Sequence, residues 1–401
     1  MTLKSSSMHL IALENEPSST LGGQELNLLG ICEGLANCGH QVSLVYTKEG
    51  DLLETYGKFC QDLIPVKRYQ ANRKNPLDMV KFAVEFFNDI SPIKKTSDSI
   101  IFSNESRSIF WGYALSNIHK VPLVCYLQLP GTPFKFKWRP GLSGVNQFMT
   151  VSQANKDTWV NLCGIDANKI DIVYNCIDPE KFSPYSVDEY QQLSLRRDFN
   201  ILGNRRVFSF LGRLNPNKGI EVLIKAFALL ANHQPDICLL IAGNVILEPT
   251  EDSPAARIHY LKFLKDMVDD LGIKELVQFI GHVPNTPDLY RVSDVTIVPS
   301  IWPDPCPRVV LESLSTGTPV VGSRVGGIPE MMTGELTRYL VEPGSPEQLA
   351  EVLNQVTNWR DDDPELGRRC RDHVLDNFSP KVMIDQMEMV LLRTINQYHQ
   401  H

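Results

Sequence analysis

Two acidic residues, Asp304 and Glu312, lie in the segment 300–313, which reads SIWPDPCPRVVLES. Three prolines exclude a regular helix from the first half of this segment, so we expect Asp304 to lie on a loop. The third proline suits the first position of a helix, which would place Glu312 about one turn inside it. The residue before that proline is a poor cap, which leaves backbone N–H groups near Arg308 and Val309 for a bound anion. An acidic loop followed by an ordinary surface helix is the alternative interpretation.

Two cations follow a predicted strand in residues 210–219, which read FLGRLNPNKG. The strand delivers Arg213 at its carboxyl end, and a short Asn/Pro turn brings Lys218 to the start of the next helix. A guanidinium offers fixed donors and an ammonium offers a point charge, a combination that suits a diphosphate. The alternative interpretation is a solvent-exposed Arg and Lys in a turn that binds no ligand.

A pair of glycines, Gly22 and Gly23, lies between the first predicted strand and its helix. Without side chains, these residues let the backbone approach a ligand closely. The segment does not contain the G-x-G-x-x-G dinucleotide fingerprint, and a tight strand-to-helix turn is equally consistent with it.

Short apolar runs alternate with helical patterns on both sides of a polar segment, 179–204. This alternation predicts an α/β protein with two parallel sheets covered by helices. The first helix repeats Leu26, Leu29, Cys32 and Leu35 at helical spacing. The predicted strands are 8–13, 41–46, 62–66, 99–103, 122–127, 147–152 and 170–174, then 207–211, 237–242, 277–280, 295–299, 319–322 and 339–341.

These patterns give the domain organisation that we predict. An N-terminal domain spans 1–178, a linker 179–204 and a C-terminal domain 205–378, and an amphipathic helix follows in 379–401. Two open parallel sheets place a ligand site where the carboxyl ends of their strands face each other.

Composition excludes several classes of protein. The 401 residues carry a net charge of −8 and have no basic tail, so we do not expect a nucleic-acid partner. The 9 cysteines are scattered without metal-ligand spacing, which indicates buried thiols in a reducing compartment and no metal site. No apolar stretch has the length of a membrane span, so we expect a cytoplasmic protein.

In their order along the chain, these segments resemble glycosyltransferase family four, retaining enzymes of the GT-B fold with two Rossmann-like domains that face a central cleft. The spacing from Asp304 to Glu312 matches the two-carboxylate motif of that family. Supporting segments are GHQV at 39–42, VSQANKD at 151–157, IVYNCID at 172–178, FIGHVP at 279–284 and GTPVVGSRVGGIPE at 317–330.

The resemblance implies transfer of a hexose from a nucleotide sugar, a UDP- or GDP-sugar, to a hydroxyl acceptor such as a sugar, a lipid-linked sugar or a small molecule. Glu312 would hold the ribose hydroxyls and Asp304 the hydroxyls of the donor sugar. No metal or other cofactor is expected, because side-chain cations would face the phosphates. The other implied donor contacts are Arg213 and Lys218 with the N–H groups of Arg308, Val309 and Val310 at the diphosphate, Gly22 and Gly23 across the cleft, and His282 and Val283 beside the base.

Three positions depart from the family pattern. Asp304 stands where Glu is more usual, and Cys176 follows Asn175 where Gly is common. Gln128 occupies the position at which many members carry a functional His. Glutamine can bind a sugar hydroxyl but cannot take its proton at neutral pH, which fits a reaction in which the departing phosphate accepts that proton. A nucleotide-sugar epimerase, an inverting transferase and a non-catalytic nucleotide-sugar-binding protein stay open as alternatives.

Aromatic and basic residues alternate in FKFKWR, residues 134–139. One interpretation is an exposed turn or edge strand whose cations keep it soluble. The other is a loop whose rings enter a lipid interface or stack on an acceptor while its cations meet phosphates. Under the second hypothesis, Phe134, Lys135 and Trp138 join Gln128 on the acceptor side, and the protein contacts the inner face of a membrane peripherally.

Overall fold

The structure is a computed structural model that describes residues 7–19, 23–72, 74–105, 108–132, 139–184, 189–247 and 252–400. The chain divides into two compact units. One comprises Met1–Asn175 with Pro380–His401, and the other comprises Cys176–Ser379. The segment 179–204, for which we predict a linker, belongs to the second unit and contains a helix.

A seven-stranded parallel sheet forms the centre of the first unit, in the order β3-β2-β1-β4-β5-β6-β7. The order reverses between β1 and β4, which makes the carboxyl ends of these two strands the switch point of the sheet. The strands are β1 His9–Glu14, β2 Gln41–Tyr46, β3 Asp62–Pro65, β4 Ser99–Ser103, β5 Leu123–Leu127, β6 Gln147–Thr150 and β7 Ile170–Ile172. The helices between them are α1 Gly23–Asn37, α2 Leu53–Tyr56, α3 Pro76–Ile90, α4 Ile109–His119, α5 Arg139–Ser143 and α6 Gln153–Cys163.

The second unit has a six-stranded parallel sheet in the order β10-β9-β8-β11-β12-β13, with its switch point between β8 and β11. Its strands are β8 Arg206–Leu211, β9 Ile237–Ala242, β10 Val277–Gly281, β11 Val295–Val298, β12 Val320–Ser323 and β13 Leu340–Val341. Its helices are α7 Glu189–Asp198, α8 Ile220–Ala231, α9 Pro254–Asp270, α10 Thr286–Val292, α11 Arg308–Ser315, α12 Ile328–Met331, α13 Pro346–Val356, α14 Trp359–Asp362 and α15 Leu366–Phe378.

The predicted α/β class with two Rossmann-like sheets is confirmed. Each predicted strand corresponds to a strand of the structure, with ends that differ by no more than two residues. Buried apolar runs form these strands because helices cover both faces of a parallel sheet.

The inner face of α1 differs from the predicted one. Leu26 is 41% exposed, whereas its neighbour Asn27 is 4% exposed. Asn27 is buried because its amide joins a set of polar side chains at the end of the sheet, described below. Leu28 and Ile31, which were not predicted, join the predicted Cys32 and Leu35 in the apolar packing of the helix.

The last helix, α16 (Pro380–Gln400), completes the first unit by packing on α1. A Cβ atom at Gly34 of α1 would lie 2.5 Å from Cδ1 of Ile384, so the glycine leaves room for this side chain. Next to this contact, His40 Nε2 lies 2.9 Å from Glu388 Oε1. Within the part of the chain that the structure describes, no helix combines the length and the apolar character of a membrane span.

Candidate active site

The switch point of the second sheet brings a cation and a carboxylate together. Lys218 lies at the end of a 3₁₀ turn after β8, and Asp304 lies on the loop after β11. The ammonium of Lys218 forms an ion pair with Oδ2 of Asp304. The two loops are also joined through their backbones, since the N–H groups of Ile301 and Trp302 both donate to the carbonyl of Asn217, at 3.0 and 3.3 Å.

Two glycines allow this close approach of loops. Gly219 follows Lys218 with a φ of 70°, and any Cβ atom there would collide with the carbonyl oxygen of Pro299. Gly326 has a φ of 60°, and a Cβ atom there would collide with the backbone of Asp304. Both positions need a residue without a side chain, so the backbone around the ion pair is tightly fixed.

Helix α11 begins beside this pair without a side-chain cap. Its N-cap residue is Pro307, which makes no side-chain hydrogen bond to the helix start. Among the described residues, no protein acceptor is present for the backbone N–H groups of Arg308 and Val309. The N–H of Val310 donates to the carbonyl of Pro307 at 3.1 Å. The first turn of α11 therefore has donors for an anion, and the helix dipole adds partial positive charge there.

Glu312 is held one turn further along α11. The phenol of Tyr290, on α10, donates to Glu312 Oε2 at 2.8 Å, and Arg308 Nε lies 3.4 Å from Oε1. Burial and, second, the Glu312 carboxylate raise the pKa of Tyr290 well above its usual value, so the phenol stays a hydrogen-bond donor. Tyr290 was not predicted from the sequence, because its contact with Glu312 depends on the packing of α10 against α11.

The remaining donor-side candidates spread along the same edge of the sheet. Arg213 follows β8 and is exposed. His282, also exposed, and Val283 follow β10 and line a surface pocket of about 510 Å³. Two strand spacings separate the ends of β10 and β8, which corresponds to about 10 Å. A ligand that reaches from Val283 to Lys218 would therefore be elongated.

The first unit has a line of buried and half-buried polar side chains at its own switch point, which we call the amide chain. It consists of Glu14, Asn104, Gln128, Asn27 and Asn175. Asn104 Nδ2 donates to Glu14 Oε2 at 3.0 Å, and Gln128 Nε2 donates to Asn104 Oδ1 at 2.7 Å. Asn27 Nδ2 then donates to Gln128 Oε1 at 3.1 Å and to Asn175 Oδ1 at 2.9 Å.

Most residues of the amide chain lie at the carboxyl ends of strands. Glu14 ends β1, and Asn104 and Gln128 directly follow β4 and β5. The start of α1 is attached to it as well, since Gln24 Nε2 donates to the carbonyl of Asn104 at 3.1 Å. The first turn of α1, which begins at Gly23, is therefore held next to the amide chain.

Glu14 is 3% exposed. Burial raises the pKa of its carboxyl to about 7, although hydrogen bonds from Asn15 and Asn104 oppose the shift. The carboxylates of Glu25 and Glu105 add to the increase. Glu14, Asn27 and Asn104 were not predicted from the sequence. Glu14 and Asn104 each follow a predicted buried strand directly, and a polar residue in that position is a signal that could have found them.

Several candidates can now be placed. The structure brings Lys218 to Asp304 and Arg308 to Glu312, and it places Gln128 within the amide chain of the first unit. Gly22, Phe134, Lys135 and Trp138 lie outside the described residues. Within the described ranges, no group of three or more His, Cys, Asp or Glu side chains is arranged to hold a metal ion.

Comparisons with known proteins agree with this architecture. Residues 191–373 match the family described as glycosyl transferases group 1, and residues 21–181 match glycosyltransferase family 4. An uncharacterised glycosyltransferase of Methanocaldococcus jannaschii is 25% identical over 86% of this chain and 87% of its own length. The D-inositol 3-phosphate glycosyltransferase of Corynebacterium kroppenstedtii is 26% identical over 92% of this chain and 84% of its own.

Solved structures share the fold at low identity. A glycosyltransferase from Rickettsia africae has a TM-score of 0.80 and 18% identity, over 97% of this chain and 99% of that one. Anabaena HepE, solved in complex with UDP and glucose, has a TM-score of 0.75 and 21% identity, over 96% and 99%. With both halves of the chain matched to glycosyltransferase models and the two-sheet GT-B fold present, this protein belongs to glycosyltransferase family four.

Proposed function

We propose that this glycosyltransferase moves a hexose from a UDP- or GDP-sugar to a hydroxyl acceptor with retention of the anomeric configuration. The observation that carries the proposal is the group of donors at the β8/β11 switch point. Lys218, the start of α11 and the exposed Arg213 all lie at the carboxyl ends of these strands, where open parallel sheets bind ligands. The complexes of Anabaena HepE with UDP and with UDP-glucose support a uridine nucleotide as the first donor to test.

The difficult step is departure of the nucleoside diphosphate from the anomeric carbon. Negative charge grows on the bridging phosphate oxygen in the transition state. Lys218, Arg213 and the N–H groups of Arg308 and Val309 would stabilise that charge from fixed positions. Asp304, held beside Lys218, would contact hydroxyls of the sugar, and Glu312 would hold the ribose.

Proton transfer would involve the donor's own phosphate. Gln128 has no basic group, so it would orient the acceptor hydroxyl by hydrogen bonds while the departing phosphate takes the proton. In such a reaction the new and the breaking bond would lie on one face of the sugar, which would retain the anomeric configuration.

A screen of nucleotide sugars by thermal unfolding tests the donor. Ligand at about 100 times its Kd stabilises the native state by about 2.7 kcal/mol, so the true donor should raise the Tm clearly. UDP-glucose should raise the Tm of the wild type, and the Glu312→Ala variant should respond less. If no UDP- or GDP-sugar changes the Tm, the proposed donor class is wrong.

Product analysis separates this proposal from its alternatives. Retention predicts an α-linked product from an α-linked donor, whereas an inverting transferase gives the β anomer and an epimerase releases an altered sugar nucleotide. Turnover no higher than that of Glu312→Ala would instead identify a non-catalytic nucleotide-sugar-binding protein.

Peripheral membrane contact through residues 134–139 also stays a prediction. Flotation with anionic liposomes tests it, with a Lys135/Lys137/Arg139 triple alanine variant as the comparison. Binding of the wild type but not of the variant at low salt would support it, because cations near an anionic surface contribute about 1 kcal/mol each.

A further inference from the structure

The carboxylate of Glu14 and, through a longer bond, the backbone carbonyl of Gln24 set the direction of the hydrogen bonds in the amide chain. Asn104 Nδ2 donates to Glu14 Oε2 at 3.0 Å and to the Gln24 carbonyl at 3.3 Å. A carboxylate only accepts hydrogen bonds. Glu14 accepts the N–H of Asn15 at 2.8 Å on Oε1 and Nδ2 of Asn104 on Oε2. Asn104 must then turn its Oδ1 to Gln128, and Gln128 must turn its Oε1 to Asn27. The orientation of the amides thus follows from the two acceptors at this end, of which only Glu14 can change its charge.

This direction decides what Gln128 offers to a ligand. Its bonds to Asn104 and Asn27 use one of two N–H donors and one of two oxygen lone pairs. The half-buried amide can therefore form one further bond of each kind. If the hydrogen bonds of the amide chain reversed, the free N–H and the free lone pair of Gln128 would exchange places. A bound hydroxyl would then face a donor where it had faced an acceptor.

We propose that Glu14 is a positioning residue, which fixes the edge of the Gln128 amide that accepts a hydrogen bond from the acceptor hydroxyl. This inference rests on the proposed function, in which Gln128 orients that hydroxyl. Glu14 acts only through Asn104 and does not touch the substrate itself.

The surroundings of Glu14 make the direction depend on pH. Protonation would turn Oε2 into a donor that faces the donor Nδ2 of Asn104, so Asn104 and then Gln128 would rotate to restore their bonds. Burial raises the pKa of Glu14 to about 7, so this change falls near neutrality. The titratable groups around Glu14 are the carboxyls of Glu25 and Glu105, the phenols of Tyr56 and Tyr69, and the thiol of Cys32.

Two substitutions change the direction of the hydrogen bonds in the amide chain while they keep side chains of nearly the same shape. In Glu14→Gln, Oε1 can keep the bond from the N–H of Asn15 only by presenting its NH₂ group to Asn104. This variant should hold the reversed direction at every pH. In Gln128→Glu, the new carboxylate accepts from Asn27 and, in the reversed direction, from Asn104. The double variant therefore restores a consistent chain with the charge moved from position 14 to position 128.

The test measures UDP-glucose hydrolysis, with water as the probe acceptor, and the Tm of the wild type, both single variants and the double variant. The pH range runs from about 5.5 to about 8.5, on both sides of the Glu14 pKa of about 7. Glu33→Gln, which changes an exposed carboxylate on α1, is the control.

We expect the rate of UDP-glucose hydrolysis by the wild type and by Glu33→Gln to rise about tenfold as the pH increases through neutrality. This factor corresponds to the free energy of about one ordinary hydrogen bond. Glu14→Gln should stay at the low-pH rate throughout, and the double variant should have a higher Tm than the two single changes predict by addition. A wild-type pH profile in Glu14→Gln, or additive changes in Tm, would overturn the inference. If no variant hydrolyses UDP-glucose, the proposed donor fails, whereas the Tm comparison still decides the role of Glu14.

Discussion

At the residue scale, the ion pair between Lys218 and Asp304 gives the cation a partner that a diphosphate can replace. Phosphate oxygens carry more charge than one carboxylate, so Lys218 would turn toward a bound donor and leave Asp304 to the sugar hydroxyls. The proposed chemistry thus depends on Lys218, whose backbone is fixed but whose ammonium can exchange Asp304 for a phosphate.

Removal of either cation should mainly slow turnover. We expect Lys218→Ala and Arg213→Ala each to lower kcat on the order of 100-fold, the scale for loss of one preorganised stabiliser of negative charge. Steady-state kinetics with the identified donor measures this effect. Lys225→Ala, an exposed cation on α8, is the matched control and should keep wild-type turnover. Near-normal turnover in both site variants would contradict the assignment.

Glu14 should also make the stability of the protein depend on pH. Its pKa rises from 4.5 to about 7 on folding, so between these values the folded state holds a proton that the unfolded state has released. The free energy of unfolding should therefore fall as the pH rises from 4.5 to about 7, by about 3 kcal/mol in total, and stay level above.

Urea unfolding at a series of pH values measures this effect. Glu14→Gln should lack the decrease, whereas Glu33→Gln should retain it. Parallel curves for the wild type and Glu14→Gln would show that the carboxyl titrates at its ordinary pKa.

At the element scale, the start of α11 can be tested independently of any side chain. Arg308 is the first residue of the helix, where proline fits the backbone, and Pro307 before it already has the extended conformation that precedes proline. Arg308→Pro therefore removes one backbone N–H, whereas Arg308→Ala removes only the side chain.

Arg308→Pro should lower kcat about 10-fold to 100-fold below Arg308→Ala, because one fixed donor to the phosphates is lost. The Tm of the two variants should be similar, which is the control for folding. Equal rates in the two variants would mean that this N–H does not contact the diphosphate.

Much of the fold follows from the sequence for a simple physical reason. Strands of a parallel sheet are buried on both faces and appear as continuous apolar runs, and the charged residues that follow such runs, Arg213 and Asp304, were recognisable as candidates. The amide chain was not, because its members are far apart in the sequence and form one line only when β1, β4 and β5 are adjacent. Asn27 also breaks the helical apolar pattern, which is why the predicted face of α1 included the exposed Leu26 beside the buried Cys32 and Leu35.

At the scale of the whole molecule, we expect catalysis to be independent of metal ions. In the proposed site, cationic side chains and helix donors would take the place of a divalent ion in neutralising the diphosphate. Transfer rates should therefore be unchanged by excess EDTA. Loss of activity with EDTA and its recovery with manganese or magnesium would reveal a metal site that the residues do not indicate.

The contact between α16 and α1 also has a consequence for biogenesis. The ribosome completes the whole second unit before it synthesises the helix that the first unit still lacks. Until then, Gly34 and the apolar surface around it have no cover, although α1 was made hundreds of residues earlier. During translation, we therefore expect chaperones that bind nascent chains to bind the first unit. Premature termination before residue 380 should make this unit sensitive to proteolysis.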